Sequence, residues 1–542
     1  MRLRLLLSTL LLSTMAVAVP SAAQADPGAI YDPIPTEPVT SRLGLVLDEF
    51  AGFPASQPTP APTDVRLMRQ ARINTVFELP DGSGRRAVPD LNGNLYLVKN
   101  GVPSVYLDVA ATFAPQFFSG RGLGQGFGYV AFHPEFKTNG KFYTIHTEQA
   151  AATTAVPDYA QATVLYHGVI NEWDATDPAA DTFSGTRREV LRIGFGGQIH
   201  GIQEINFNPY ARKGSDDYGK LYLAVGDGGI GVNNTDPQNL ALPHGKLLRI
   251  DPAGTNSTNG KYGIPATNPF AGQAGALGEI WSYGYRDPHR FSWDKATGKL
   301  YLGHIGEHAI EAIYEVRPGD NAGWSEREGA FVFDKTPSGP CERLYPLPAD
   351  DASFGYDYPV AAYDHNPQPG WNCTGDVGVA VAGGFVYRGT AVPALYGKYI
   401  FGDLVNGWVF YTNAAEMRRG GPPATIHRLN LFSAATGTPV RMQDLSAPGA
   451  PGNPERVDLR FGTDRAGELY LLAKANGKVW KVTGTRTFAA GPVGTTRVQD
   501  TLRPTNWRPV TPSKWQFTGR EVILAEAGEA RPGPRRPFEY AI

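Results

Sequence analysis

The sequence predicts an all-β fold, a six-bladed β-propeller, and three observations carry that prediction. The first is a motif, Gly-x-(Leu/Phe/Tyr)-(Tyr/Ile)-(Leu/Thr/Phe), found at Gly93–Leu97, Gly140–Thr144, Gly219–Leu223, Gly298–Leu302, Gly397–Phe401 and Gly467–Leu471. A glycine turn feeding a short aromatic and aliphatic run starts an inner β-strand. Six such starts read as one four-stranded unit repeated around an axis; a run of unrelated hairpins is the competing explanation. The second observation is 64 Gly and 45 Pro in 542 residues, about a fifth of the chain. The third is the scarcity of long apolar helical periods, which together with the glycine and proline content favours short strands with ordered loops. A propeller concentrates chemistry at the mouth of its central channel, so the loops flanking these strands are where function is sought.

The elements follow in chain order. Residues 1–25 read as an export signal: Arg2 and Arg4 precede the apolar stretch Leu5–Val19, and Ala23-Gln24-Ala25 satisfies the small-x-small cleavage rule. The apolar run is too short for a membrane anchor. A periplasmic or secreted location is therefore expected. Residues 26–64 are Pro-rich and predict an N-terminal extended arm or linker. The repeated core spans 65–483. A Pro/Arg-rich C-terminal tail, 484–542, follows, and part of it is expected to add an outer strand that closes the ring. Residues 151–190 and 325–380 read as excursions from the strand pattern.

Composition narrows function. The formal net charge is −2, with both signs spread along the chain, which gives no footprint for nucleic acid or for an anionic membrane. The only two cysteines are Cys341 and Cys373. In an exported chain they most simply form one disulfide, contributing about 3–4 kcal/mol by restricting the unfolded chain. No Cys/His cluster has zinc spacing, and Gly-x-Ser-x-Gly elbows and phosphate-binding glycine loops are absent.

Three segments hold candidate chemistry. His200, in Gly197-Gln-Ile-His-Gly201, sits on a glycine-flanked loop before a strand, where an imidazole can take a proton from a hydroxyl; a histidine bonded to neighbouring backbone is the alternative. Arg286, in Tyr285-Arg-Asp-Pro288, can polarise a carbonyl or hold a carboxylate; a brace between blades is the alternative. The loop Gly226–Asp236, with Asp227, has the acidic and amide-rich composition of a calcium loop without EF-hand spacing, and reads equally as a structural turn. Carbonyls of Gly303–His308 could ligate the same hard cation.

Further segments accumulate in order: Asp81–Arg85 (Asp-Gly-Ser-Gly-Arg), Ala131–Phe136 (Ala-Phe-His-Pro-Glu-Phe), Leu223–Gly229, Gly245–Asp251, Asn259–Pro265, Asn268–Phe270, Tyr285–Pro288, Gly383–Gly389 and Phe461–Asp464 with Gly467–Tyr470. With them residues 66–482 resemble the glucose/sorbosone dehydrogenase family, the soluble pyrroloquinoline-quinone (PQQ) sugar dehydrogenases. The resemblance implies a six-bladed propeller and an exported quinoprotein that oxidises an aldose-type sugar with PQQ and Ca²⁺, passing electrons to an external acceptor. By position, His200 matches the family's base and Arg286 its arginine. Gln125 lies at or next to a cofactor-facing glutamine, and Asp287 stands where the family has asparagine. Gly306 and Glu307 fall where carbonyls hold the cofactor's calcium. Arg456 and Arg460 loosely match the basic residues of the last blade.

There are departures. Ile199 replaces a polar, sugar-contacting residue, and Val405 occupies the place of a lysine that pairs with a cofactor carboxylate. Losing a cationic partner in a buried site costs several kcal/mol, roughly. This pattern resembles the divergent branch of the family, which includes a secreted binding protein of the Hedgehog pathway. The alternative function is accordingly a non-catalytic exported propeller that binds a glycan or a protein through its loops.

Overall fold

The computed structural model describes residues 28–336, 343–365 and 377–487, with five short strands between Arg497 and Pro532. The expected signal segment, Cys341 and Cys373 all lie outside the described residues. The described chain is all-β, with helices of no more than five residues.

Antiparallel pairing follows chain order in six groups of strands, of which the first, fifth and sixth belong to one 13-stranded sheet. The first runs Phe77–Glu78, Arg86–Pro89, Asn94–Lys99, Val102–Asp108. The second is built on Tyr129–Phe132, Lys141–Gln149, Tyr166–Ala175 and Gly185–Phe195. The third comprises Ile202–Phe207, Leu221–Val225, Lys246–Ile250 and Ile280–Tyr283. The fourth has Asp287–Trp293, Leu300–Ile305, Ile310–Val316 and, after an excursion bearing its own small sheet, Ala361–Asp364. The fifth is Val381–Val386, Lys398–Asp403, Val409–Asn413 and His427–Ser433. The sixth has Leu459–Thr463, Leu469–Ala473 and Lys478–Thr487.

The motif glycines are the hairpin turns. Gly93, Gly140, Gly219, Gly298, Gly397 and Gly467 all have positive φ, from 66° to 127°, a conformation glycine adopts without steric cost. The run after each one is the second strand of its group, or the third in the first group, rather than the leading strand that the motif suggested. A turn that reverses the chain must have a strand before it.

The N-terminal segment corrects a second expectation. Val39–Gly52 is a strand of 14 residues, not a free arm. It runs antiparallel to Lys478–Thr487 as the fourth strand of the sixth group, and parallel to His427–Ser433 of the fifth. The outer strand therefore comes from the beginning of the chain and not from the tail. Leu45 and Leu47, fully buried, join Leu429, Leu431, Leu459 and Trp480 in one apolar cluster. Phe77 pairs with Thr463, so the first group also meets the sixth.

Neighbouring groups bury both faces of their strands. Leu223 and Leu248 pack against Tyr143, Ile145 and Ile193 of the second group. The adjacent residues Tyr222 and Leu247 pack against Phe291 and Leu302 of the fourth. Side chains alternate across a strand, so a strand sandwiched this way is apolar on both sides, and each such residue contributes about 1.5–3 kcal/mol.

Candidate functional site

His200 and Arg286 occupy equivalent places. Each lies just before the first strand of its group, the third and the fourth. Antiparallel pairing sets the end of the second strand beside the start of the first: Ile202 opposes Val225, and Asp287 opposes Ile305. The loops after Val225 and Ile305 thus lie at the same end as His200 and Arg286. Backbone bonds stitch them together, with Gly228 N–H donating to His200 O at 3.0 Å and Asp227 N–H to Arg286 O at 2.7 Å.

His200 is buried and has φ 57°, a left-handed conformation that costs free energy in a non-glycine residue and clusters at functional sites. Gly226 permits it, because a Cβ there would stand 2.5 Å from His200 O and 2.8 Å from its Cβ. The imidazole Nδ1 donates to Asp227 Oδ1 at 2.8 Å. Asp227 is itself fixed: Oδ1 also accepts from Gly229 N–H at 2.8 Å, and Oδ2 accepts from Trp324 Nε1 at 3.2 Å. Gln161 and Asn234 amides both donate to its backbone carbonyl at 2.8 Å. A carboxylate on Nδ1–H leaves Nε2 as the acceptor nitrogen, the arrangement a general base needs.

Arg286 is held from both ends. Its N–H donates to His304 Nε2 at 2.8 Å. Burial, and then the Arg286 charge, push His304 down to about 3, so it stays a neutral acceptor. The guanidinium donates to Gly306 O at 2.6 Å and pairs with Glu307 Oε2 at 2.5 Å. The turn carrying these partners hangs on one buried carboxylate: Glu328 Oε1 accepts from the N–H groups of Glu307, His308, Ala309 and Ile310 at 2.7–3.2 Å. Next to Arg286, Asp287 is buried. Burial alone would raise it, but His200, His289 and Arg286 hold it below the usual carboxylate range.

The residues expected to hold calcium are committed elsewhere. Asp227 receives three N–H donors and orients His200, while Gly306 O and the Glu307 carboxylate both serve Arg286. Among the described residues no group of three or more His, Cys, Asp or Glu side chains could hold a metal ion. Asp227 is thus a positioning residue rather than a ligand, and the Gly306 carbonyl already serves Arg286.

A polar guest is better accommodated. The Gln125 amide is 1% exposed and both its oxygen and nitrogen lack partners, as do Asp287 Oδ1 and both His289 ring nitrogens. Orphaned buried polar atoms call for a ligand or water. Gln125 lines a cavity of about 360 Å³ with Pro60, Phe118, Arg121, Gln149, Leu165 and Gln198, the last two residues before His200. Arg460 is buried, donating to Asn74 Oδ1 at 3.2 Å and Leu459 O at 2.7 Å. Arg456, by contrast, is paired with Asp458 at 2.8 Å. The unpartnered Gln125 amide and the buried Arg460 cation fit a quinone bearing carboxylates.

His200, Asp227, Arg286, Asp287, Gly306 and Glu307 therefore gather at one end of the third and fourth groups. Arg460 lies on the Leu459–Thr463 strand of the sixth group, paired with Leu472. Val405 packs against the apolar cluster shared by the fifth and sixth groups. No role for His304, Glu328 or Trp324 was legible from sequence. The one available signal was the Gly303–His308 loop, considered for its backbone carbonyls; strand pairing of His304 with Pro288 lets its imidazole accept the Arg286 N–H instead.

Comparisons with known proteins agree with this architecture. HIPL1 protein of Arabidopsis thaliana is 26% identical over 384 residues, covering 63% of this chain and 51% of that protein. Hedgehog-interacting protein of Mus musculus is 24% identical over 370 residues, 67% of this chain and 43% of its own length. The chain thus spans about half the length of the curated relatives it matches. The PQQ-bound form of aldose sugar dehydrogenase from Streptomyces coelicolor superposes with TM-score 0.50 at 17% identity, covering 83% of this chain and 99% of that one. The Glucose / Sorbosone dehydrogenase family matches residues 75–430, and the chain belongs to that family.

Proposed function

We propose that this protein is an exported quinoprotein that oxidises an aldose-type sugar and hands the electrons to an external acceptor. In this reading the six strand groups are the blades of a propeller, with the His200 loop at the channel mouth. The observation that carries it is the His200–Asp227 pair, 2.8 Å apart, set beside Arg286 by a direct backbone bond. Nε2 of His200 takes the proton of the sugar hydroxyl. Asp227 stabilises the imidazolium that forms. Arg286, kept cationic against burial by Glu307, sets a positive charge where oxygen becomes negative. Gln125 and Asp287 would hold the polar edge of the quinone and Arg460 one of its carboxylates. PQQ, when bound, supplies the acceptor for the hydride. Among the described residues no helix is long and apolar enough to cross a membrane.

The test is dye-linked oxidation across an aldose panel by protein supplied with PQQ. Activity with at least one sugar, abolished in His200→Ala, is expected. Absence of turnover and of any quinone binding would remove the proposal.

A second reading, a binding protein that acts through its loops, is favoured by one observation. The Arg286 guanidinium is already engaged by Glu307 and Gly306 without a ligand. An absorbance titration with PQQ separates the two, since only the cofactor enzyme perturbs the quinone band.

A further inference from the structure

The interior between the first and sixth groups holds more positive charge than its own carboxylates match. Arg69, Arg72, Arg460 and Lys474 are all buried there, at 2–6% exposure. Asp458 is committed to Arg456 at 2.8 Å and lies 3.7 Å from Arg69. Asp90 accepts from Ser56, Asn92 N–H and Arg72 N–H. Glu204 faces Arg290 at 4.0 Å, and Asp287 faces His200 and Arg286. Arg72, Arg460 and Lys474 have no ion-pair partner among the described residues. An unpaired buried cation costs several kcal/mol, roughly, unless an anion joins it.

Lys474 has the least protein to hold it. Its ammonium carries three N–H donors, and among the described residues these meet one acceptor, Leu123 O at 3.3 Å, a carbonyl that Arg72 already engages at 3.0 Å. Leu123 lies two residues before Gln125, whose amide is unpartnered. Burial, and then Arg460, depress Lys474 far below the ordinary lysine range. Arg460 pairs with Leu472 and Lys474 N–H donates to Asp458 O, so the two side chains are diagonal neighbours on one face of paired backbone.

We propose that Lys474, beside Arg460, is the cation that receives a carboxylate of an interior polycarboxylate ligand, the role that Val405 cannot fill. This rests on the quinoprotein reading for the ligand's identity, but not for the existence of the anion site. Lys474 is a binding residue here, not a catalytic one.

The test is calorimetric titration of the purified full chain, and of Lys474→Met and Lys474→Arg, with PQQ and separately with citrate. Wild type is expected to bind PQQ, Lys474→Met to weaken it at least about tenfold, and Lys474→Arg to retain most of it. Ligand-free Lys474→Met should melt at or above wild type, because it removes an unpaired buried charge. Equal PQQ affinity in wild type and Lys474→Met would overturn the inference and leave the quinoprotein reading standing. Lys474-dependent citrate binding without PQQ binding would sustain the anion site and remove the quinone. A sharp fall in the ligand-free melting temperature of Lys474→Met would make Lys474 a structural tether to Leu123, and binding of neither probe would end both proposals.

Discussion

Asp227→Asn isolates the geometry on which catalysis by His200 depends, because it keeps the volume and removes the charge. The Asp227 carboxylate accepts three donors: His200 Nδ1 and Gly229 N–H at 2.8 Å, and Trp324 Nε1 at 3.2 Å. An asparagine amide offers one accepting oxygen, so at least one donor must face an NH₂ group. If the NH₂ group takes the Oδ2 position, Trp324 loses its acceptor and the buried mismatch costs about 1–3 kcal/mol. If the imidazole yields instead, it flips to the Nε2–H tautomer and its base nitrogen disappears, lowering kcat about a hundred- to ten-thousandfold. Urea unfolding gives the first quantity. Nitrogen chemical shifts of His200 together with dye-linked turnover give the second. An unchanged Nδ1–H tautomer with turnover within about threefold of wild type would refute the claim that Asp227 sets the tautomer.

Three further outcomes are expected. Leu45→Ala should cost about 2–5 kcal/mol in urea unfolding, since Leu45 is fully buried where the N-terminal strand packs on the sixth group; a loss under about 1 kcal/mol would show that this strand does not secure the fold. Gly226→Ala places a Cβ 2.5 Å from His200 O, so it should cost about 1–3 kcal/mol and reduce turnover more than it reduces stability; normal turnover would show that the His200 loop tolerates displacement. Glu204 is raised by burial to about 7 from 4.5. Its folded pKa lies above its unfolded one, so the folded state holds the proton more tightly, and stability from this group is full below about pH 4.5 and is lost as pH rises through about 7. Glu204→Gln should therefore gain on wild type by roughly 3 kcal/mol between about pH 5 and pH 8; parallel pH profiles would overturn it.

The strand content and the glycine turns were legible in the sequence, because a positive-φ turn needs glycine and a strand buried on both faces needs an apolar run. Local rules of this kind also placed His200 and Arg286 on loops at strand ends. What they could not give was the partner of each side chain. Asp227 looked like a calcium ligand because its loop is acidic. It becomes the orienter of His200 only because Ile202 and Val225 are paired across two strands. His304 likewise sat in a loop considered only for its carbonyls until register set it under the Arg286 amide. The N-terminal strand hid behind flanking prolines, and its partners lie nearly four hundred residues or more away in sequence. The sequence by itself determined which backbone conformations recur and which faces must be buried, since both are set by neighbours within a few residues. Tertiary structure alone decided which charges meet, and left Lys474 and Arg460 without an ion-paired carboxylate among the described residues, because strand pairing over hundreds of residues is what brings distant groups within range of Coulomb forces.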